Sequence, residues 1–407
     1  MSDLKDSYDH LIIGGGIAAD AAARAIREAD EHASIAILSA DPHAPVYRPA
    51  LSKDLWTGED PDPDSQDLGT AAATGAELFT STLVTELLPA SHTAVTARGQ
   101  RVHYRKALLA TGSSHRHLPG VHDPRVMSLR TVGDYRHLRT LATEGARVVV
   151  VGGGFLGTEI AAALTRTGAE VTLAHGGTRI LEHMLPGSLT SHLEQVFTEH
   201  GIELVGGFRL AGISADATLT LRAANRETLT ADAVVLGLGA QPATTLAEHA
   251  GIFTDRGYVV VDPHLRTSSP DVFAAGDVVL YDDALLGRRH VEHVDHAEAS
   301  GAVAGANMTR PEEEREEYTH TPLFFSDLFD DGYEAVGRLD SSLEMREVWD
   351  EEHRAAVVHY LDEGVVEGVL LWNTWDSVPA ARELIAQSQA GDLYIDALES
   401  RIRPGGA

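Results

Sequence analysis

At 407 residues, with 43% hydrophobic side chains, the chain is too long for one ordinary core and reads as a soluble globular protein of two or three domains. It has no cysteine, which excludes a disulfide, a thiolate nucleophile, an iron–sulfur cluster ligated by this chain and a redox-active dithiol, so redox chemistry would fall to a bound cofactor. Sixty-one acidic against 32 basic residues give a formal charge of −29, a field that repels nucleic acid and anionic membranes, and no apolar run is long enough to span a bilayer.

The chain before Leu11 is acidic and polar, neither a signal peptide nor an Arg-rich transit peptide, so a cytoplasmic location is expected. Asp9-His10-Leu11-Ile12-Ile13 predicts a short buried strand, Gly14-Gly15-Gly16 a turn, residues 20–28 an Ala-rich helix and residues 34–38 a second strand. This is a βαβ unit at the spacing of a dinucleotide site. Gly14 allows the tight turn, Gly16 lets the backbone approach a pyrophosphate, Ala19 allows close helix packing, and the helix N-terminus faces the phosphates. The acid that binds a ribose normally ends the second strand; Ala40 stands there, and Asp41 follows as the candidate.

Tyr47 to Trp56 carries Lys53, one of only three lysines (Lys5, Lys53, Lys106) in a chain whose other basic residues are arginine. A leftover surface charge is one reading. The other is a requirement for a compact ammonium, with a readily shifted pKa, beside a buried redox group. Residues 59–67 read as an acidic, Pro-rich solvated loop. Residues 76–110 alternate apolar and polar in short runs and predict a small antiparallel sheet. It ends at Thr111-Gly112, where the chain can cross between domains, and Pro119-Gly120 is a plausible linker.

A second dinucleotide unit begins at Arg147. Val148 to Val151 is all β-branched, as suits a central parallel strand; Gly152-Gly153-Gly154-Phe155-Leu156-Gly157 opens a helix to about residue 166, and residues 170–173 form the next strand. Gly152, Gly154 and Gly157 complete the glycine pattern. Two such units suggest one cofactor that stays and one that comes and goes. No acid follows this second strand. His175 or Arg179 could tolerate a 2′-phosphate, while Gly157 in place of Ala leans toward NAD.

Residues 232–239 and 271–277 are further strands closing on Gly turns. The second ends in Gly276-Asp277, whose carboxylate could bond a ribityl hydroxyl. An Ala/Gly-rich helix reaching Met308 has side chains small enough to pack closely against something flat. Residues 311–317 are a solvated charge run, and the remainder mixes strands (334–338, 355–360, 365–372) with a helix at 378–389. Asp362-Glu363-Gly364 is a hairpin signal. His290, His293 and His296 do not match a zinc spacing and no metal is expected; no Gly-x-Ser-x-Gly elbow follows a strand.

With these motifs in order, the chain resembles the two-dinucleotide-domain flavoproteins: glutathione-reductase-like enzymes, ferredoxin reductases and, most closely, apoptosis-inducing factor and its bacterial relatives. Arg48 to Trp56, Gly152 to Glu159, Gly287 to Ala297, Phe325 to Leu328 with Gly332 to Gly337, Leu371 to Asn373 and Pro379 to Arg382 carry the likeness. It implies an α/β fold with two Rossmann-like domains, for FAD at 1–120 and 245–318 and for NAD(P)H at 121–244, and a C-terminal α+β domain at 319–407. It implies FAD held by Gly14, Gly16 and Ala19 at the pyrophosphate, with Asp41, Arg48, Lys53, Val84, Thr111, Gly112, Arg116, Gly276, Asp277, Glu292, His293 and Phe325 as further cofactor-binding residues. The helix after His293 would aim its positive end at the flavin pyrimidine. Glu159 matches the acid that pairs with the flavin lysine, making Lys53 and Glu159 the expected catalytic pair. Phe155 matches the aromatic over the nicotinamide, beside Gly152, Gly154, Leu156, Gly157 and His175. Phe325 departs from the family's usual Trp, and the missing cysteines exclude the dithiol and single-cysteine branches.

The implied function is an FAD-dependent oxidoreductase that takes hydride from NADH, NADPH being the alternative donor, onto flavin N5. It would pass electrons to an unidentified acceptor such as oxygen, a quinone or a small redox protein. An NADH-responsive charge-transfer and dimerisation switch and a ferredoxin or rubredoxin reductase are the alternatives, with a homodimer as a possible assembly.

Overall fold

The computed structural model describes residues 4–58, 61–392, 398 and 400–405. The chain forms two compact units. The first takes Met1–Arg48, Asp62–Ser114 and Ala240–Pro322; the second takes Pro49–Pro61, His115–Gly239 and Leu323–Ala407.

The first unit is built on a seven-stranded sheet. Ser7–Ile13 lies at its centre, parallel to Ile35–Leu38 on one side and to Arg101–Leu109 on the other. Leu11, Ile12 and the whole of Ile35–Leu38 are buried, as strands covered on both faces require. The helix Ile17–Ala29 follows directly on the glycine turn, three residues before the start expected from composition. Residues 77–109 are not a separate antiparallel sheet. Glu77–Phe79 adds in parallel to Ile35–Leu38, and only Val84–Leu88 and Thr93–Thr96 run antiparallel, on the first half of Arg101–Leu109. The second half of that strand pairs in parallel with Val272–Ala274. The first two residues of the acidic loop expected at 59–67 lie outside the described residues.

The small residues of the helix Val294–Thr309 meet a helix, not a flat surface. A Cβ on Gly301 would lie 2.4 Å from the carbonyl oxygen of Ala18, and one on Gly305 2.4 Å from that of Ala22. Neither glycine leaves room for a side chain of its own at the crossing.

The second unit contains an all-parallel five-stranded sheet in the order Glu203–Val205, Glu170–Ala174, Arg147–Val151, Ala233–Leu236 and Val126–Met127. It also contains an antiparallel five-stranded sheet in the order Leu323–Leu328, Asp331–Gly337, Val365–Trp372, Ala356–Asp362 and Glu344–Trp349. The hairpin between its last two chain-order strands turns as expected: Glu363 and Gly364 both have positive φ (48° and 86°), the combination a two-residue hairpin loop demands.

His359, on Ala356–Asp362, is fully buried, and neither ring nitrogen has a hydrogen-bond partner among the described residues. Burial pushes its pKa down to about 4. Between that value and the ordinary value near 6.5, the unfolded chain binds a proton that the folded strand refuses. Stability from this group is therefore full above that window and falls as the pH drops through it. An unpartnered buried polar group costs about 1–3 kcal/mol in its own right. His359→Leu should raise the melting temperature by a few degrees, and by more at pH 5 than at pH 8. An equal gain at both pH values would contradict the titration account.

Candidate functional site

In the first unit the glycine turn is shaped by what it excludes. Gly14 has φ +128°, and a Cβ there would lie 2.0 Å from the carbonyl oxygen of Ala110. A Cβ on Gly15 would lie 2.3 Å from the Ser39 hydroxyl oxygen. Gly16 caps the helix in extended geometry with no side-chain cap, and of the first turn Ala19 N–H donates to the Gly16 carbonyl at 3.1 Å. The Arg48 guanidinium lies 3.7 Å from the position of a Gly16 Cβ, and Ala19 is fully buried behind the turn. These expected residues do come together.

At the far end of Val272–Ala274, Gly276 turns with φ +75° and Asp277 accepts a hydrogen bond from Ser113 Oγ at 2.8 Å. Gly276 N–H donates to Ser300 Oγ at 3.0 Å, and that hydroxyl donates to the carbonyl of His296 at 2.6 Å. The Gly-Asp turn is thereby tied to the helix Val294–Thr309. His293 is the N-cap of that helix, and burial pushes its imidazole down to about 4, so it is neutral at pH 7. Glu292 accepts from the Tyr258 hydroxyl at 3.4 Å. Thr111 and Gly112 bond Ala243 through the Thr111 hydroxyl (2.9 Å) and the Gly112 carbonyl (2.9 Å). Val84 is buried at the start of its strand. Asp41 accepts from the backbone and ring of His43 (2.9 and 3.1 Å), a local turn of its own.

In the second unit the turn of Gly152 repeats that of Gly14. Its φ is +127°, and a Cβ would lie 2.2 Å from the carbonyl oxygen of Gly237. A Cβ on Gly157 would lie 1.8 Å from the Gly152 oxygen, so helix and turn touch backbone to backbone. Gly154 caps the helix Phe155–Leu164, again without a side-chain bond. Phe155 packs edge-on to Phe324 with centroids 5.2 Å apart, and Leu156 is exposed. Arg116 donates its backbone N–H to Gly239 at 3.0 Å. His175 is buried at the end of Glu170–Ala174, against Gly153, and its Nδ1 has no partner among the described residues.

Lys53 and Glu159 meet. Lys53 Nζ donates to Glu159 Oε1 at 2.5 Å, with the two side chains 12% and 9% exposed. Two serines complete the carboxylate: Ser52 Oγ donates to Oε2 at 2.7 Å and Ser326 Oγ to Oε1 at 2.7 Å. Phe325 lies under the ammonium at 5.3 Å. The segment Pro49–Pro61 is pinned by Tyr135, whose hydroxyl donates to the carbonyls of Leu55 (2.9 Å) and Pro61 (3.0 Å), and by Trp56, which meets the Tyr135 ring edge-on at 5.1 Å. Ser52, Ser326, Ser113 and Tyr135 were not singled out by sequence. The first two lie inside quoted motifs, where a serine reads as a turn residue.

Among the described residues no group of three His, Cys, Asp or Glu side chains is placed to hold a metal, and no helix is long and apolar enough to cross a membrane.

A family model described as pyridine nucleotide-disulphide oxidoreductase matches residues 8–301. The chain is 30% identical to apoptosis-inducing factor 1, mitochondrial, of Dictyostelium discoideum, over 93% of this chain and 78% of that one. It is 34% identical to the ferredoxin–NAD(+) reductase component of the anthranilate 1,2-dioxygenase system of Burkholderia cepacia, over 80% and 81%. Among solved structures, the ferredoxin reductase for the CYP199A2 system from Rhodopseudomonas palustris superposes with a TM-score of 0.84 at 27% identity, covering 92% of this chain and 93% of that one.

Proposed function

The chain belongs to the pyridine nucleotide-disulphide oxidoreductase family and is an FAD-dependent NAD(P)H oxidoreductase, and we propose that it sends electrons from the cofactor straight to an external acceptor, with Lys53 as the cation that serves the redox centre. The observation that carries this reading is the buried Lys53–Glu159 pair with its two serine donors, in a chain without cysteine.

The residues present fit the two nucleotides. Each glycine turn leaves no room for a Cβ on its strand side and an uncapped helix start on the other, the shape a pyrophosphate needs. In this reading Gly14, Gly16, Arg48 and Asp277 hold FAD, with Asp41, Val84, Thr111, Gly112, Arg116, Gly276, Glu292 and His293 around it. Gly152, Gly154, Phe155, Leu156, Gly157 and His175 receive the nicotinamide nucleotide. FAD, when bound, supplies the two-electron acceptor for a hydride.

The chain's own residues supply orientation and charge. Glu159, fixed by three donors, holds the Lys53 ammonium in one place and keeps it from reaching solvent. A fixed, partly desolvated cation stabilises negative charge arriving at a redox centre without reorganising when it arrives. Glu159 is thus a positioning residue, and Ser52 and Ser326 position it in turn. Ser113, through Asp277, and Ser300, through Gly276, do the same for the Gly-Asp turn.

The names of the Burkholderia and Rhodopseudomonas proteins favour one refinement: the acceptor is a small redox protein of the ferredoxin kind. Anaerobic stopped-flow mixing with NADH and with NADPH tests the main reading, which fails if neither bleaches the flavin. Cytochrome reduction that becomes fast only when a ferredoxin is added supports the refinement. A long-wavelength band that outlasts oxygen supports a redox switch instead.

His175 stands where a ribose-binding acid would be, and burial holds its imidazole below the ordinary range, hence neutral at pH 7. Arg179, the nearby cation on the same loop, bonds Ser191 and lies 3.6 Å from Glu194. A carboxylate at position 175 would bond a ribose hydroxyl and repel a 2′-phosphate. His175→Glu should therefore lower the ratio of kcat/KM for NADPH to that for NADH by about tenfold, roughly 1.4 kcal/mol. An unchanged ratio would remove position 175 from coenzyme selection.

A further inference from the structure

Lys106, the third of the three lysines, lies on the strand Arg101–Leu109 opposite His10. Its ammonium is 5.6 Å from the ring centre of Phe273, and the guanidinium of Arg315 is 5.3 Å from the same ring. Phe273 is fully buried. Neither cation has an ion-pair partner within 4 Å or a side-chain hydrogen bond among the described residues, and Arg315 Nε is buried and unpartnered.

The other cations around them are matched. Arg105 lies 3.7 Å from Asp9, Arg266 lies 3.0 Å from Asp262 and 2.9 Å from Glu312, and Arg310 lies 2.8 Å from Glu316. Acids are not scarce, since Arg315 sits inside the run Glu312-Glu313-Glu314-Arg315-Glu316-Glu317. The fold commits Glu312 and Glu316 to other arginines and leaves Arg315 without one. Asp271, the acid whose charge reaches Lys106, faces His92 at 3.4 Å. Burial and the neighbouring Arg315 charge together hold Lys106 below the ordinary lysine range. In a chain of net charge −29, two cations kept against one aromatic ring, near enough to feel each other's charge and without a carboxylate of their own, are an uncompensated arrangement that an external anion would complete.

We propose that Lys106 and Arg315 form a binding site for a phosphate group on the first unit, distinct from both glycine turns. Lys106 lies four residues before Ala110, whose carbonyl backs the Gly14 turn, so the site is about 13 Å along the strand from it. A guanidinium fork and an ammonium point charge against the same ring suit a doubly charged tetrahedral oxyanion, the fork setting its orientation. The phosphate comes either free or as the phosphoryl group of a small metabolite.

The low lysine count makes a direct test available. Holoenzyme is acetylated under limiting reagent and the three lysines are followed by peptide mass spectrometry, with the exposed Lys5 as internal reference. Millimolar inorganic phosphate should slow modification of Lys106 at least about fivefold, as site occupancy requires, and leave Lys5 unchanged. Sodium chloride at matched ionic strength should do neither. Glycerol 3-phosphate protecting at lower concentration than inorganic phosphate identifies a metabolite; the reverse identifies the free ion. Arg315→Gln should abolish the protection. Equal slowing by chloride, absence of slowing in the wild-type chain, or full protection surviving in Arg315→Gln would each overturn the site, and the first two need no variant.

Discussion

Replacing Glu159 with Ala should slow flavin reduction by NAD(P)H about 100-fold and lower the melting temperature of the same protein, while FAD remains bound. The rate effect follows from freeing the Lys53 ammonium, and the loss of a preorganised charged or donor group at a reacting centre typically costs about 10²–10³ in rate. The stability effect has a separate origin. The Lys53 and Glu159 side chains are 12% and 9% exposed, so deleting the carboxylate strands an ammonium and two serine hydroxyls in a nearly dry site. Breaking one partner of a buried pair costs about 3–5 kcal/mol, whereas replacing both by apolar groups is often neutral. The double variant Lys53→Met with Glu159→Leu should therefore recover most of the lost melting temperature and none of the lost rate. Glu159→Gln, which keeps an acceptor for the serines, should fall between wild type and Glu159→Ala in both measurements, and Ser326→Ala should be milder still. If both Lys53→Ala and Glu159→Ala reduce at the wild-type rate, the pair is a structural clamp and no more.

The two glycine turns were legible in the sequence because their chemistry is local. Gly14 and Gly152 follow β-branched or aliphatic strands and precede helices, and the reason for glycine is visible within one turn of chain. The pairing of Lys53 with Glu159 was legible only through family likeness, since nothing in either segment points 106 residues along the chain. What stayed hidden was what depends on distant backbone. Glu77–Phe79 is three residues long, and its parallel register with Ile35–Leu38 leaves no local mark distinguishing it from the antiparallel strands that follow. The small residues of the helix Val294–Thr309 announced a close approach but not its partner, because Ala18 and Ala22 lie far back in sequence. Beside the bonds of Ser52 and Lys53 to Glu159, the placement of Pro49–Pro61 in the second unit rests on Tyr135, a residue with no distinguishing context in the sequence. Serine donors such as Ser52 and Ser326 carry no pattern at all until the carboxylate they serve has been placed.

Gly14→Ala and Gly152→Ala deliver the same lesion to two turns and should give opposite phenotypes. The turns are near copies: φ is +128° and +127°, and the added Cβ would lie 2.0 and 2.2 Å from a backbone carbonyl oxygen. Each substitution imposes a left-side φ that alanine adopts at a cost of about 1–3 kcal/mol, and each forces the turn to retreat from its neighbour by about 1 Å or more. A displacement of that size in a positioning element costs about 100-fold in the function it supports. Gly14→Ala should therefore purify largely without FAD, with affinity for added FAD down about 100-fold. Gly152→Ala should purify yellow with a full complement of FAD and a normal response to dithionite, yet require about 100-fold more NAD(P)H for the same reduction rate. The dithionite control separates a damaged flavin from a damaged nicotinamide site, and the flavin spectrum separates lost cofactor from lost reduction. The assignment of FAD to the first turn and NAD(P)H to the second stands on that crossing of phenotypes: if Gly152→Ala loses the flavin while Gly14→Ala keeps it, the two nucleotides have been placed in the wrong units.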